Sequence, residues 1–153
     1  MRVYGSNFVN NSVSVFSNSF NVEIEESNFT LGVSGVAVYD TCQNGNSVDV
    51  KLRNCTFLDH SNSVLCSGDN SSSNPRPSLT VQTCSLINGK SSGNISSAIQ
   101  THFCQVHIFS TSILQCSSNS EGGAVFASNS FLNASSSSFL KKLCSQVWRI
   151  HLC

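Results

Sequence analysis

The sequence predicts an all-β fold, a right-handed parallel β-helix of about six coils. Three observations lead there: a composition suited to strands and turns, a template that returns six times, and alternation with period two inside that template. Ser and Asn supply nearly a third of the 153 residues, charged residues only 10%, and Pro occurs twice. Helices carry more Glu, Lys, Arg, Ala and Leu than this. Ser and Asn favour turns, because their short side chains hydrogen-bond to nearby backbone. Apolar residues still reach 39%, too many for a disordered Ser-rich tract. Val, Phe, Leu and Ile dominate them, and these suit strands.

The template reads apolar-x-apolar-x-x-(Ser/Cys/Thr)-x-(Phe/Leu/Ile). It matches at Met1, Val3, Ser6 and Phe8; at Val22, Ile24, Ser27 and Phe29; and at Val50, Leu52, Cys55 and Phe57. It matches again at Leu79, Val81, Cys84 and Leu86; at Val106, Ile108, Thr111 and Ile113; and at Leu132, Ala134, Ser137 and Phe139. The starts lie 21, 28, 29, 27 and 26 residues apart. A weaker element recurs between copies: Val13 to Val15, Val36 to Val38, Val64 to Cys66, Ala98 with Ile99, and Ala124 to Phe126. Each period thus holds two or three short strands separated by Ser/Asn/Gly turns. One period cannot bury its own apolar face, but stacked periods can, which is the logic of a solenoid.

Alternation through Val22-Glu23-Ile24-Glu25 and Val50-Lys51-Leu52-Arg53 excludes helical repeats. The Leu-x-x-Leu-x-Leu pattern of leucine-rich repeats is absent. The rule for parallel crossovers sets the right hand. In-register stacking puts Glu23 beside Lys51, Glu25 beside Arg53, and Phe8, Phe29, Phe57, Leu86, Ile113 and Phe139 in one inward column. Residues 1–142 are assigned to the repeats. Residues 143–153, with the only Trp at position 148, form a non-repeat tail or cap.

The eight cysteines permit a disulfide framework in an oxidising compartment but form no CxxC motif, and positions that follow the repeat mark several of them as small, buried, reduced core residues. Cys55 and Cys84 share one template position, so they are expected as a close but reduced pair. A coil-to-coil staple between them in an oxidising compartment is the competing reading.

A formal net charge of zero without a basic stripe argues against a nucleic-acid partner. No apolar run approaches the ~20 residues that span a bilayer. No apolar segment of signal-peptide type follows Met1. These features together suggest a fragment of a larger cell-surface or secreted protein, with open solenoid ends prone to self-association.

Two constellations carry chemistry. Asp59, His60 and Asp69 share the third coil, and paired carboxylates near a His suit general acid–base work on a glycosidic bond. Asp and His are common in solvated turns, and that reading is preferred. His102, Cys104, His107 and Cys116 hold metal-capable atoms, but a structural zinc site needs four convergent ligands. His107, between the inward Val106 and Ile108, faces out. Gly122-Gly123 reads as a tight turn, Arg76 is isolated, and Asp40 and Asp49 are scattered. No catalytic, cofactor-binding or metal residue is assigned, and no cofactor is expected. Six Asn-x-Ser/Thr sequons, at Asn10, Asn28, Asn54, Asn70, Asn94 and Asn133, suit a glycosylated secreted protein.

Glu121-Gly122-Gly123-Ala124-Val125-Phe126 followed by Ser128-Asn129-Ser130-Phe131, with Asn54-Cys55-Thr56-Phe57 and Phe8-Val9-Asn10-Asn11, resembles the repeats of polymorphic outer membrane proteins. It also looks like the wider class of pectin lyase-like right-handed β-helices. The first resemblance implies surface display and adhesion and brings no catalytic residues. The expected function is therefore a non-catalytic, surface-exposed or secreted, adhesin-like scaffold with a cell-surface protein or carbohydrate as partner. The alternative is a truncated polysaccharide-active β-helix enzyme or a carbohydrate-binding module.

Overall fold

The computed structural model describes residues 1–18, 20–39, 48–68, 76–91, 98–118, 123–140 and 143–144. All their regular structure is strand. The first repeat holds β1 (Arg2–Tyr4), β2 (Asn7–Val9) and β3 (Val13–Asn18); the second holds β4 (Val22–Glu25), β5 (Asn28–Thr30) and β6 (Ser34–Tyr39). The third holds β7 (Asp49–Arg53), β8 (Thr56–Leu58) and β9 (Asn62–Ser67). The fourth has four strands: β10 (Ser78–Gln82), β11 (Ser85–Ile87), β12 (Lys90–Ser91) and β13 (Ile99–His102). The fifth follows with β14 (Gln105–Phe109), β15 (Ser112–Leu114), β16 (Ser117–Ser118) and β17 (Val125–Ser128). Then come β18 (Phe131–Ser135), β19 (Ser138–Leu140) and β20 (Leu143–Cys144).

Every pairing is parallel, and each strand lies beside its equivalent in the next repeat, so the chain is a parallel β-solenoid. The first sheet stacks β1, β4, β7, β10, β14 and β18; the second stacks β2, β5, β8, β11, β15 and β19. Among the described residues the third, β3-β6-β9-β13-β17, is five strands deep, and a fourth, β12-β16-β20, three. An expectation of about six coils is therefore too uniform. It describes two sheets, and the stack thins to three strands at the fourth.

Extra residues enter at two different places. In the second and third repeats they separate the third-sheet strand from the next first-sheet strand (40–47 and 69–75). In the fourth and fifth they fall between the short fourth-sheet strand and the third-sheet strand (92–97 and 119–122). The first repeat has neither insertion, so its period is 21 residues.

The six template copies are adjacent parallel strands in register. Phe8, Phe29, Phe57, Leu86, Ile113 and Phe139 are successive partners in the second sheet. Rings stack where ring meets ring: the Phe8 and Phe29 centroids are 4.8 Å apart and those of Phe29 and Phe57 4.6 Å apart, with planes within 6° of parallel. That spacing is the distance between hydrogen-bonded strands, ~4.8 Å, so the backbone itself sets the ring stack. Burying each of Phe29 and Phe57 stabilises by ~1.5–3 kcal/mol. Gly35 lies beneath Phe57: a Cβ there would come within 2.7 Å of the ring and of the Ser63 carbonyl oxygen.

In the weaker element Val36 partners Val64, but the first copy is shifted by two residues. Val15, not Val13, partners Val36, and Val13 partners Ser34. Six residues of β3 are extended, and either Val satisfies alternation alone.

The corners follow one rule. After each first-sheet strand one residue takes positive φ: Gly5, Glu26, Asn54, Thr83, Ser110 and Ser136. The same happens after the second-sheet strands at Asn10, Leu31, Asp59, Asn88 and Gln115. The amide of this left-handed residue donates to the end of the equivalent strand in the next repeat, as in Asn54 N to Gln82 O at 3.1 Å and Asp59 N to Ile87 O at 3.1 Å. At the first corner the following residue is the Ser/Cys/Thr of the template. Its side chain donates back to the strand-end carbonyl two residues earlier: Ser27 Oγ to Glu25 at 2.9 Å, Cys55 Sγ to Arg53 at 3.2 Å, Thr111 Oγ1 to Phe109 at 2.9 Å. Its own amide bonds to the corner side chain of the next repeat: Ser6 N to Ser27 Oγ at 3.2 Å, Cys84 N to Thr111 Oγ1 at 3.3 Å, Thr111 N to Ser137 Oγ at 3.2 Å. Where that side chain is a thiol, the amides of Ser27 and Cys55 bond to the sulfurs of Cys55 and Cys84.

Cys55, Cys66, Cys84, Cys104 and Cys116 are buried thiols, as their repeat positions suggest. Cys42 and Cys153 lie outside the described residues, as do Trp148 and most of the expected tail. β20, over Leu143–Cys144, still stacks on β16.

If the corner ladder holds the fold, Thr111→Val should cost ~1–3 kcal/mol, because it leaves the buried Cys84 amide without an acceptor. Thr111→Ser should cost much less. Urea midpoints of the full chain read the difference, and a Val variant as stable as the parent would remove the ladder from the account.

Candidate functional site

The first predicted constellation does not assemble. Asp59 sits at a left-handed corner, and its carboxylate accepts a bond from Asn88 Nδ2 at 2.5 Å. His60, expected in a solvated turn, is 1% exposed. It occupies the corner position between Gly32 and Gly89 of the neighbouring repeats. A Cβ on Gly32 would lie 2.7 Å from its Nε2, so the missing side chain makes room for the imidazole. The ring meets Phe57 edge-on, centroids 6.2 Å apart. Neither ring nitrogen has a hydrogen-bond partner among the described residues. Burial lowers the pKa of His60 below its ordinary value, so the ring is a neutral packing element. Asp69 and Asp40 lie outside the described residues.

The second constellation is dispersed. Alternation puts His102 on the outer side of the third sheet, 2.9 Å from Gln100 Nε2 and beside the Phe126 ring. Cys104 fills a buried corner. His107 faces out from the first sheet, as its neighbours imply, and stacks parallel to Phe109 with centroids 6.1 Å apart. Cys116 donates to the carbonyls of Leu114 and Leu86 from another corner. Among the described residues no three His, Cys, Asp or Glu converge. Arg76 bonds to the Asn129 carbonyl at 2.9 Å. Sequon residues Asn10, Asn28, Asn54 and Asn133 are exposed; Asn70, Asn94, Glu121 and Gly122 lie outside the described residues.

What the fold does assemble is the outer face of the first sheet. Strand alternation brings Arg2, Glu23, Glu25, Asp49, Lys51 and Arg53 onto three neighbouring strands. Register pairs Glu23 with Lys51 and Glu25 with Arg53 as expected, but contact does not follow register throughout. Arg53 Nη1 bridges Glu23 at 3.3 Å and Glu25 at 3.1 Å, while Arg2 contacts the same two carboxylates from the other side at 3.5 and 3.4 Å. Lys51 turns to Asp49 on its own strand, at 2.7 Å. The guanidinium is long enough to cross the diagonal, and Asp49 offers Lys51 a partner one pleat away. Pairs this exposed contribute ~0–1 kcal/mol each. Tyr4 donates to Glu26 at 2.7 Å, and that bond together with the Glu26 charge raises the phenol's pKa. An open recess at the edge is lined by Met1, Arg2, Asn21, Glu23, Asp49 and Lys51.

The next three strands carry no charge on this face. Their outward positions hold Thr80, Gln82, Gln105, His107, Phe109 and Asn133, with Phe131 61% exposed at the end. Sequence reading missed this split because acids and bases look scattered along the chain. Aligning the outward columns would have revealed it.

No protein-family model matches this chain, and no curated protein and no solved structure matches it either.

The buried imidazole gives a pH signature. With the folded pKa of His60 below its ordinary 6.5, the unfolded chain takes up the proton more readily. Its contribution is fully present above about pH 6.5 and is lost as pH falls from there through the lower folded value. Urea midpoints of the parent should decline over that range more steeply than those of His60→Leu. Parallel pH profiles would show that His60 titrates normally in the fold.

Proposed function

We propose that the chain is a non-catalytic β-helix scaffold, surface-exposed or secreted, whose first-sheet outer face is an adhesin-like contact surface. This is the role that repeats like those of polymorphic outer membrane proteins, on a pectin lyase-like β-helix, would play. The observation that carries the reading is the division of that face into a self-neutralised ionic half and an uncharged half bearing amides and outward rings, of which Phe131 is exposed. Charges already closed on one another favour register and selectivity over raw affinity. Rings and amides offer contact area and hydrogen bonds at low entropic cost. A rigid sheet presents both at fixed spacing.

A carbohydrate partner is favoured by the uncharged half, where the parallel rings of His107 and Phe109 stand among Gln82, Gln105 and Asn133. A polysaccharide-active enzyme has less support, since Asp59 is engaged by Asn88 and His60 is buried behind it.

The test is retention of beads coated with the full chain on cells and on polysaccharide films. A Phe109→Ser, Phe131→Ser double variant should lower retention ~10-fold with the unfolding midpoint nearly unchanged. Equal retention by parent and variant on every surface would remove this face from the function.

A further inference from the structure

The sharpest unexplained contact in the molecule is between two thiols that do not share a template position. Cys104 Sγ lies 2.8 Å from Cys66 Sγ, and both residues are wholly buried. The corner rule explains why they meet. A corner side chain bonds to the carbonyl two residues earlier and also reaches a residue in the preceding repeat. Cys55 reaches Ile24 O at 3.5 Å, Cys84 Leu52 O at 3.6 Å, Thr111 Val81 O at 3.3 Å and Cys116 Leu86 O at 3.7 Å. Cys104 obeys the first half, with its sulfur 3.1 Å from His102 O. Counted through the register, its reach into the preceding repeat falls on Cys66, three positions before its own equivalent. There the reached residue points its own sulfur into the slot.

We propose that Cys66 and Cys104 form a disulfide that staples β9 to the corner following β13. Their sulfurs already stand within about 0.8 Å of the bonded length, 2.8 Å against ~2.04 Å. The pair expected from the sequence, Cys55 and Cys84, is placed differently. Both sulfurs point along one ladder, each donating to its own strand-end carbonyl at 3.2 Å and accepting an amide. The bond between them, followed by burial, raises the pKa of the Cys84 thiol, and the same bond lowers that of Cys55, as follows when one sulfur donates to the other.

Oxidation needs a partner, and a small-molecule disulfide supplies it. One protein thiolate attacks that disulfide, forms a mixed disulfide and releases one small thiol. The second protein thiolate then attacks the mixed disulfide and releases the other. Two protein thiols lose two electrons and two protons, and the small disulfide becomes two thiols. Because neither sulfur is exposed once the repeats have closed, exchange belongs to folding in an oxidising compartment.

The decisive experiment refolds the full chain in mixed reduced and oxidised glutathione, alkylates without reduction and maps the peptides by mass. The expected result is a 66–104 linked peptide, with Cys55 and Cys84 recovered as thiols. Cys104→Ser should fold, since Ser130 fills the same corner one repeat later and accepts the Cys104 amide at 3.1 Å. Reductant should lower the melting midpoint of the parent by roughly 5–10 °C and leave that of the variant unmoved. Recovery of Cys66 and Cys104 as thiols, or a link from either to Cys42, Cys144 or Cys153, would overturn the proposal. So would an equal effect of reductant on parent and variant. Should the variant fail to fold, the peptide map of the parent decides alone.

Discussion

The rest of this structure depends on the hydrogen bond made by one amide at the first corner of each repeat, the corner that follows the first-sheet strand. Parallel strands satisfy their neighbours continuously, but a corner that turns through a left-handed residue interrupts the ladder. The next amide is left inside the wall, facing no backbone acceptor, and an unmet buried donor costs ~1–3 kcal/mol. The chain answers with a side chain that is both donor and acceptor and short enough to stay in the corner. Ser, Thr and Cys meet that description, Cys more weakly. One such side chain serves two repeats, donating to its own strand end and accepting from the repeat before it. The corner residues therefore form a column as continuous as the sheets, and a single wrong residue strands an amide in its neighbour.

This constraint fixes the core. Corners in register force strands in register, so each inward side chain packs chiefly on its equivalents one strand spacing away. The inward positions are close to a set of one-dimensional stacks: Phe on Phe on Phe, then Leu, then Ile. Size must be balanced within a column and between columns. Gly35 yields space to Phe57 and Gly32 yields space to His60. Insertions are accepted only where they leave the corners alone, which is why period length varies from 21 to 29 residues while register does not.

The same reasoning explains what could be read from sequence. The template was legible because its Ser/Cys/Thr position is the ladder and its Phe/Leu/Ile position is the core stack, two constraints that every repeat must meet. The third sheet was legible as an element but not in register. It has no equally strict corner, and Val13 and Val15 are equivalent to any alternation rule. Outer-face register was legible from Glu23 and Glu25 opposite Lys51 and Arg53. The Glu25–Arg53 contact followed from it, but the turn of Lys51 to Asp49 did not, because long side chains on a flat sheet reach diagonals and same-strand neighbours as easily as direct ones. His60 was misjudged because its burial is a property of three repeats at once: the residue type says turn, and only the glycines in adjacent repeats say core.

A wall built this way restricts where function can reside. Each inward position is taken by stacking, and each first corner by the ladder, so a recognition surface has to be assembled from outward columns. Those columns are free of packing constraints, and their composition is therefore informative. On the first sheet the charges gather on three strands, while the outward positions of the other three hold hydroxyls, amides and rings. Chance placement of sparse charges would spread them around the solenoid, whereas Arg2, Glu23, Glu25, Asp49, Lys51 and Arg53 share one patch. The corners add the one other chemically distinct feature. Because Ser, Thr and Cys are nearly interchangeable there, thiols can accumulate in the wall without disturbing the fold. Where a corner thiol reaches a residue that is itself Cys, the spacing that governs hydrogen bonding elsewhere brings two sulfurs together.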